Sequence, residues 1–589
     1  MKNYTLKEYA DLLSSVDMLA EAEMMGRDET VITYLTYDSR AVTPGTLFIC
    51  KGAAFKEQYL ENAIRAGAVA YVSEVQYETE TKVPCLIVKD IRKAMPPLAE
   101  MYFNKAWQEL TVIGFGGTKG KSTSAYYMKA IVDDYMAATG GKESAVLSSI
   151  DIYDGVIRQE SHITTPESVE LHEHMRHAVD SGITYLEMEV SSQALKYDRV
   201  NNMQFDVAVY LNISEDHISP IEHKDFEDYI SSKMKMFALA KQAVVNLDAD
   251  FVERALKAAE DAGSFKTFSL KDPSADFYGY NIHKEDGEII FSVKCDKFDE
   301  TFSLTMPGLF NVENAVAVVA AATLLNIPLE YIKSGLHRAR SSGRMELYTS
   351  ADKRVTAVVD YAHNKLSFEK LFGSTREEYP DHDIVAIFGC PGYKAYIRRK
   401  DLGLIAGEYS KKVYLVAEDP GKEPVQQISE DIAQYVAQKN CPYEIIEDRG
   451  VAIHKAIMEC KRPTVLLITG KGNETRQKYG TIYADCRTDV EYVKEYLEEY
   501  INGAGKLLPN EGDLWTNAWS PYQGASDENF TSWNDSRHKA IQLMVDEVTP
   551  QSDFYNNYGT WYKGIRKANL VLERINECED ITTSDLRDF

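Results

Sequence analysis

Residues 111–135 read TVIGFGGTKGKSTSAYYMKAIVDDY, and the fold is decided there. The apolar run TVIGF (111–115) has the composition of a buried strand. Gly116-Gly117-Thr118-Lys119-Gly120-Lys121-Ser122-Thr123 follows, and STSAYYMKAIVDDY (122–135) then reads as a helix. Strand, glycine-rich loop and helix together suit a phosphate: glycines let backbone amides crowd the anion, and the helix N-terminus adds its positive dipole end. Lys121 would reach the β/γ-phosphates, and the Ser122 hydroxyl suits Mg²⁺. Gly117, Thr118, Lys119, Gly120 and Thr123 complete the cradle. Neither common glycine pattern fits strictly. G-x-x-x-x-G-K-[ST] needs a glycine at Phe115, and G-x-G-x-x-G meets Lys119 at its third glycine. An ordinary glycine-rich turn is the competing reading.

Outward from this loop, apolar strands alternate with amphipathic helices. ITYLEMEV (183–190) and DVAVYLNI (206–213) predict a parallel sheet covered on both faces. VTAVVDYA (355–362), DIVAIFGC (383–390), KVYLVAED (412–419) and TVLLITG (464–470) predict a second, doubly wound α/β domain. Before residue 109, LFICKG (47–52) and AVAYVSE (68–74) belong to a smaller α/β unit. Ligands in such sheets bind beyond the carboxyl ends of the strands, so the chemistry is sought there.

A chain of 589 residues needs several cores. Its formal charge of −26 repels a nucleic-acid backbone, so no nucleic-acid partner is expected. The eight cysteines include no C-x-x-C pair, which fits reduced thiols. The N-terminus MKNYTLKEYADLLSS lacks an apolar core, and no stretch approaches the ~18 apolar residues of a membrane span. A cytoplasmic location is expected. Four of the five tryptophans (Trp515, Trp519, Trp533, Trp561) crowd the end of the chain, behind the linker-like INGAGKLLPNEG (501–512).

The loop GTKGKST also has the form found in Mur ligases and folylpolyglutamate synthetases. Further motifs occur in the Mur ligase order: Thr164-Thr165-Pro166-Glu167, Glu187-Met188-Glu189-Val190-Ser191-Ser192, Asn212-Ile213-Ser214-Glu215-Asp216-His217, Gly308-Leu309-Phe310-Asn311-Val312-Glu313-Asn314, Gly343-Arg344-Met345-Glu346, Asp360-Tyr361-Ala362-His363 and Lys471-Gly472-Asn473-Glu474. Residues 1–500 thus resemble the Mur ligase family, in particular members that add the third residue to a UDP-N-acetylmuramyl peptide. The resemblance implies a three-domain α/β architecture: a small uridine-binding domain (1–108), a central P-loop-type parallel-sheet ATPase domain (109–345) and a C-terminal Rossmann-like domain (346–500), with a linker at 501–510.

It also implies site residues. Ser122, Glu189, His217 and Lys233 match Mg²⁺ ligands, with Lys233 carbamylated so that a cation becomes an anionic oxygen ligand. Taken singly, Glu189 reads as a cap partner, His217 as a loop histidine and Lys233 as a solvated helix lysine; Lys235 is a neighbouring alternative to Lys233. Asn311 and Asn314 match residues flanking adenine, Arg344 one meeting ATP phosphates, and Asp360 one near the ribose; the asparagines and Asp360 equally suit helix caps. Ser39, within Asp38-Ser39-Arg40-Ala41-Val42-Thr43-Pro44-Gly45, matches a contact at the uracil end. Thr164, Thr165, Ser191 and Arg199 match UDP-sugar contacts. Gln193 and Tyr197 depart from the usual His and Gln.

Forming an amide from a carboxylate needs activation, which ATP supplies through an acyl-phosphate that an amine then opens. The expected partners are a UDP-MurNAc-dipeptide, ATP and a free diamino acid. Members adding meso-diaminopimelate carry D-N-P-R, whose Arg pairs with the distal carboxylate. Glu418-Asp419-Pro420-Gly421 stands here instead, and Glu418, Asp419, Glu423 and Glu474, beside Gly470, suit the distal ammonium of L-lysine. The alternatives are a diaminopimelate-adding ligase, or a folylpolyglutamate or cyanophycin synthetase. Residues 511–589 resemble part of a SusD/RagB-type glycan-binding lipoprotein. They read as a mainly helical, poorly packed fragment, and imply glycan binding as the rival of another class.

Overall fold

The computed structural model describes residues 2–504, apart from 53–54, 162, 216–217, 219–221, 342 and 395. His217, the linker from 505 onward and the tryptophan-rich tail therefore lie outside the described residues. The chain divides into two compact units, with the break between Ser342 and Gly343.

Among the described residues, the first unit holds two larger sheets and the short pair Tyr4–Thr5 with Val31–Ile32. A five-stranded sheet runs in the order Leu19–Glu23, Cys85–Val88, Ala68–Ser73, Thr46–Ile49, Tyr34–Thr36, parallel except for its first pair. Thr5 and Glu8 form a capping box at the helix Leu6–Ser15, and Leu6, Tyr9 and Leu13 bury its apolar stripe. The second sheet has eleven strands. Thr111–Gly116 lies at its middle, between Tyr185–Val190 and Phe205–Tyr210, and both pairings are parallel. The expected parallel sheet runs from Ala145–Leu147 across to Phe277–Glu285, and only the two flanks depart from it. Arg158–Glu160 and Asp151–Tyr153 run antiparallel on one flank, and Glu288–Lys294 and Asp299–Leu304 on the other. Hairpins need no crossover helix, so they extend the sheet at either end.

The second unit carries a six-stranded sheet in the order Glu346–Thr349, Val355–Asp360, Thr464–Thr469, Asp383–Phe388, Lys412–Leu415, Tyr443–Ile445. All neighbours are parallel except the first pair. Gly343 and Met345 belong here: the amide of Gly343 bonds Glu346, and that of Met345 bonds Asp360. The helix Asp489–Ala504 buries Val490, Val493 and Leu497 against Ala452, Ile453 and Ile457. Among the described residues, no helix is long and apolar enough to cross a membrane.

Candidate active site

The loop after Thr111–Gly116 is pinned on both sides. The amide of Thr118 donates to the Asn212 carbonyl (3.1 Å), and Asn212 Oδ1 accepts from the amide of Lys119 (2.9 Å). The Thr118 hydroxyl meets the Tyr229 hydroxyl at 2.9 Å inside the core. Gly120 has φ +85°, and a Cβ there would lie 2.3 Å from Asn314 Oδ1, so glycine is required both by conformation and by contact. Ser122 and Thr123 open the helix Lys121–Thr139 and are buried. Strand, glycine-bearing loop and helix N-terminus thus stand in the arrangement that suits a bound anion.

Asn311 and Asn314 stand beside it. The helix Asn311–Leu324 receives no side-chain cap, so the capping alternative fails: Asn311 Nδ2 donates to the Pro307 carbonyl (2.7 Å), and Asn314 Nδ2 to Asn311 Oδ1 (3.3 Å).

Two lysines converge on one carbonyl. Lys121 Nζ donates to the Gly117 and Thr118 carbonyls (3.0 and 3.2 Å), and Lys233 Nζ to Gly117 (2.7 Å). On the helix Phe226–Met234, capped by Asp225, Tyr229 and Lys233 are four residues apart and share its inward face. Lys233 is 2% exposed, so it is not a solvated lysine. Lys235 lies just past the helix and reaches instead to the Leu195 carbonyl (3.2 Å). Glu189 is buried and accepts from the Ser149 amide (2.7 Å) and hydroxyl (3.0 Å), and Ser149 in turn meets the Ser122 hydroxyl at 3.2 Å. A hard carboxylate is thereby linked to the loop hydroxyl, a donor set that fits a hard divalent cation. Glu187, on the same face of that strand, is fully buried, and desolvation raises its carboxyl to about 8.

Of the expected UDP-sugar residues, Thr165, Ser191 and Arg199 gather. Thr165 Oγ1 donates to the Glu189 carbonyl (2.8 Å) and accepts from the Ser191 amide (3.0 Å). Arg199 bonds the Thr165 carbonyl (3.2 Å) and Glu167 (2.6 Å), and Lys51 takes the other Glu167 oxygen (2.6 Å). Ser191 Oγ caps the helix Ser192–Lys196. Thr164 precedes Thr165 and is half-buried; Ser39 is half-buried in the turn after Tyr37, whose ring lies 4.4 Å from Lys51 Nζ. Of the two departures, Gln193 faces Glu222 (3.4 Å) and Tyr197 stacks under Arg92 (4.0 Å).

In the second unit, Asp360 ends its strand and accepts from the amides of Met345 (2.9 Å) and Ala362 (2.7 Å). It caps no helix, because the next begins at Lys365 with Asn364 as its cap. Arg344 sits 4.4 Å over the Tyr361 ring, so the structure brings Arg344 and Asp360 to the same turn.

Glu418 is buried against Gly470, where a Cβ would come within 2.2 Å of its carboxylate. Burial raises Glu418 to about 7, against the pull of Arg449 and Lys471. Asp419 Oδ1 accepts from the Lys478 amide (2.9 Å) and from Lys471 Nζ (3.1 Å). Two more of the expected carboxylates already have cationic partners. Glu423 is held by Arg399 through both oxygens (2.9 and 2.7 Å), and Glu474 by Lys471 (2.6 Å) and the Tyr361 hydroxyl (2.6 Å). Neither carboxylate is simply open to an incoming amine. Gly421 bonds through its backbone, donating to the Lys478 carbonyl (3.0 Å) and accepting from Gly480 (2.6 Å). A cavity of about 110 Å³ opens beside these groups, lined by Arg449, Lys471, Glu474, Tyr479, Cys486 and Asp489.

Comparison with known proteins bears on this geometry. The model of the Mur ligase middle domain matches residues 116–322, and that of the Mur ligase glutamate ligase domain matches 343–472. The chain is 39% identical over 503 residues to the UDP-N-acetylmuramyl-tripeptide synthetase of Bifidobacterium longum (strain NCC 2705), covering 80% of this chain and 95% of that one. The chain belongs to the Mur ligase family. This Mur ligase is also 36% identical over 511 residues to the UDP-N-acetylmuramoyl-L-alanyl-D-glutamate–L-lysine ligase of Enterococcus faecalis (strain ATCC 700802 / V583), covering 84% and 98%. Its fold is that of a solved UDP-N-acetylmuramoyl-L-alanyl-D-glutamate–2,6-diaminopimelate ligase (TM-score 0.59, 23% identity, 85% of this chain and 99% of that one). MurF ligase from Thermotoga maritima, solved with ADP, shares it too (TM-score 0.53, 17% identity, 80% and 98%). A further family, described as starch-binding and associating with the outer membrane, matches 482–588. That match starts within elements packed in the Mur ligase's own second unit and continues beyond the described residues.

Sequence reasoning overlooked Ser149, Asn212 and Tyr229 as site residues of this Mur ligase. Asn212 lies inside a quoted motif and could have been weighed there, and Tyr229 stands one helical turn before Lys233. Ser149 has only a serine pair to mark it.

Proposed function

We propose that this Mur ligase adds L-lysine to UDP-N-acetylmuramoyl-L-alanyl-D-glutamate in the cytoplasm, using ATP. The observation that carries the reading is the convergence of Lys121 and Lys233 on the Gly117 carbonyl, beside the Glu189–Ser149–Ser122 chain. Residues 1–108, 109–345 and 346–500 act as uridine-binding, ATP-binding and amino-acid-binding domains.

The peptide carboxylate attacks the γ-phosphate, and the amine of lysine then displaces phosphate from the acyl-phosphate. Lys121 and the loop amides bind and orient the phosphates, stabilising charge as it transfers. Asn311 and Asn314 hold the adenine end, and Arg344 and Asp360 the phosphates and ribose. Thr164, Thr165, Ser191, Arg199 and Ser39 hold the UDP-sugar. Glu189, Ser122 and His217, with Lys233 as a carbamate, would hold Mg²⁺, which when bound would neutralise phosphate charge.

Support for lysine is twofold. Gly421 offers no cation where diaminopimelate needs one, and Glu418 is a buried carboxylate beside Gly470. Relatives from Enterococcus faecalis and Streptococcus agalactiae carry the name L-lysine ligase. The test is ADP release with the UDP-MurNAc-dipeptide and a panel of amino acids, with free glycans as a control. Lysine-dependent release is expected. Preference for meso-diaminopimelate would move the amino acid alone, and release with neither would sink the ligase reading.

A further inference from the structure

The hairpin beyond Ser149 carries a group of side chains for which the ligase reaction has no use. Its strands Asp151–Tyr153 and Arg158–Glu160 pair antiparallel, and Asp154 opens the turn between them. Asp154 is fully buried. Its Oδ1 accepts the amides of Val156 (2.9 Å) and Ile157 (2.6 Å), which fixes the plane of the carboxylate and directs Oδ2 away from the turn. Oδ2 faces two imidazoles, with His174 Nδ1 at 2.7 Å and His177 Nδ1 at 2.8 Å. These histidines are three residues apart on the helix Ser168–Asp180, hence on one face of it. The His174 side chain is 8% exposed and that of His177 28%, so one edge of the group reaches solvent.

We propose that Asp154, His174 and His177 form a binding site for a borderline divalent transition metal such as Zn²⁺ or Co²⁺, with water completing the coordination at the exposed edge of His177. The donor set is two imidazole nitrogens and one carboxylate oxygen, the chemistry that selects such ions over Mg²⁺ and Ca²⁺. The three donor atoms all lie within 4.8 Å of one another. Metal–ligand distances of about 2.0–2.1 Å in a tetrahedral site set neighbouring donors roughly 3.3 Å apart. The present gaps of 2.7 and 2.8 Å therefore have to open by only about half an ångström, within reach of small side-chain rotations. The turn amides on Oδ1 supply the orienting contacts that metal-binding carboxylates require. Asp154 comes from the hairpin and both histidines from the helix, so a bound ion ties the hairpin tip to the helix. The root of the same hairpin holds Ser149 against Glu189.

The test uses the full chain without an affinity tag, stripped of metal and titrated with Co²⁺ in excess Mg²⁺, which occupies the oxygen-rich site. One equivalent of Co²⁺ with tetrahedral absorption bands, displaced by Zn²⁺, is expected. The double variant His174→Ala/His177→Ala should lose the bands and bind roughly a hundredfold more weakly. His177→Gln, altered only at the partly exposed ligand, should weaken binding while keeping the native circular dichroism. Unchanged stoichiometry and bands in both variants would overturn the proposal. So would the absence of a bound equivalent in the unmodified protein; a lower Tm in the variants would then mark the group as a hydrogen-bonded latch alone.

Discussion

Replacing Gly421 with arginine should move amino-acid preference toward meso-diaminopimelate. A Cβ at Gly421 would have the Gly480 carbonyl as its nearest neighbour, at 3.7 Å, so space for a side chain exists. Its φ of +58° is the obstacle, since a non-glycine residue there costs about 1–2 kcal/mol. That strain applies equally with either amino acid bound, so it lowers Tm by a few degrees without changing selectivity. Selectivity follows the distal carboxylate. Burying it without a cationic partner costs about 1–3 kcal/mol, or roughly ten- to a hundredfold in kcat/KM. The unmodified enzyme should therefore favour L-lysine by at least about tenfold, and Gly421→Arg should recover much of that factor for diaminopimelate. The assay is kcat/KM for each amino acid by ADP release at saturating ATP and UDP-MurNAc-dipeptide. Lys422 is exposed next door, so Lys422→Ala serves as the control for an ammonium that swings in. An unchanged ratio in a folded Gly421→Arg enzyme would refute the reasoning.

Lys121→Ala should abolish turnover and leave the fold intact, as loss of the phosphate contact removes several kcal/mol of transition-state stabilisation, checked by ADP release and circular dichroism. Lys233→Ala should be nearly inactive and partly rescued by acetate or another small carboxylate, whereas Lys235→Ala should keep most of its activity. Glu187→Gln should flatten stability against pH. The folded carboxyl titrates at about 8 and the unfolded one in the ordinary glutamate range, so the wild-type protein loses stability as pH rises between them. At alkaline pH the variant should gain stability over wild type on the order of a few kcal/mol, read as a higher Tm, and a parallel pair of Tm–pH curves would refute this. Removing residues 505–589 should leave ligase activity and Tm unchanged, because the ligase motifs end before them; unfolding of the shortened chain would place the tail in the ligase fold.

The centre of the first unit was legible because its signal is local. TVIGF, the glycines and the following helix occupy consecutive positions, and the structure keeps them together. Lys233 was legible only through the family resemblance, and the inward face it shares with Tyr229 gives the physical reason it is buried. The flanking hairpins were not legible. RQE (158–160) has no apolar alternation, so nothing local marks it as a strand; pairing with Asp151–Tyr153 makes it one. The pairing of Glu423 with Arg399 joins residues 24 apart, and no periodicity in either segment reveals it. Counting carboxylates near Gly421 therefore overstated the negative charge open to a substrate, whereas reading the absent arginine did not depend on such pairings.

The large sheet of the first unit stops at two open edges, Arg158–Glu160 and Asp299–Leu304. An edge strand offers unsatisfied amides and carbonyls that another unfolded or partly folded chain can extend, which is how ordered aggregates start. Here one edge reads Arg-Gln-Glu and the other begins Asp-Glu-Thr, so a second strand laid against either must bring its own side chains beside fixed charge. Both strands are also short, three and six residues, which limits the hydrogen bonds an intruder would gain. Resistance to pairing with a stray strand is thus written into the ends of the sheet, apart from the glycine-rich loop near its middle.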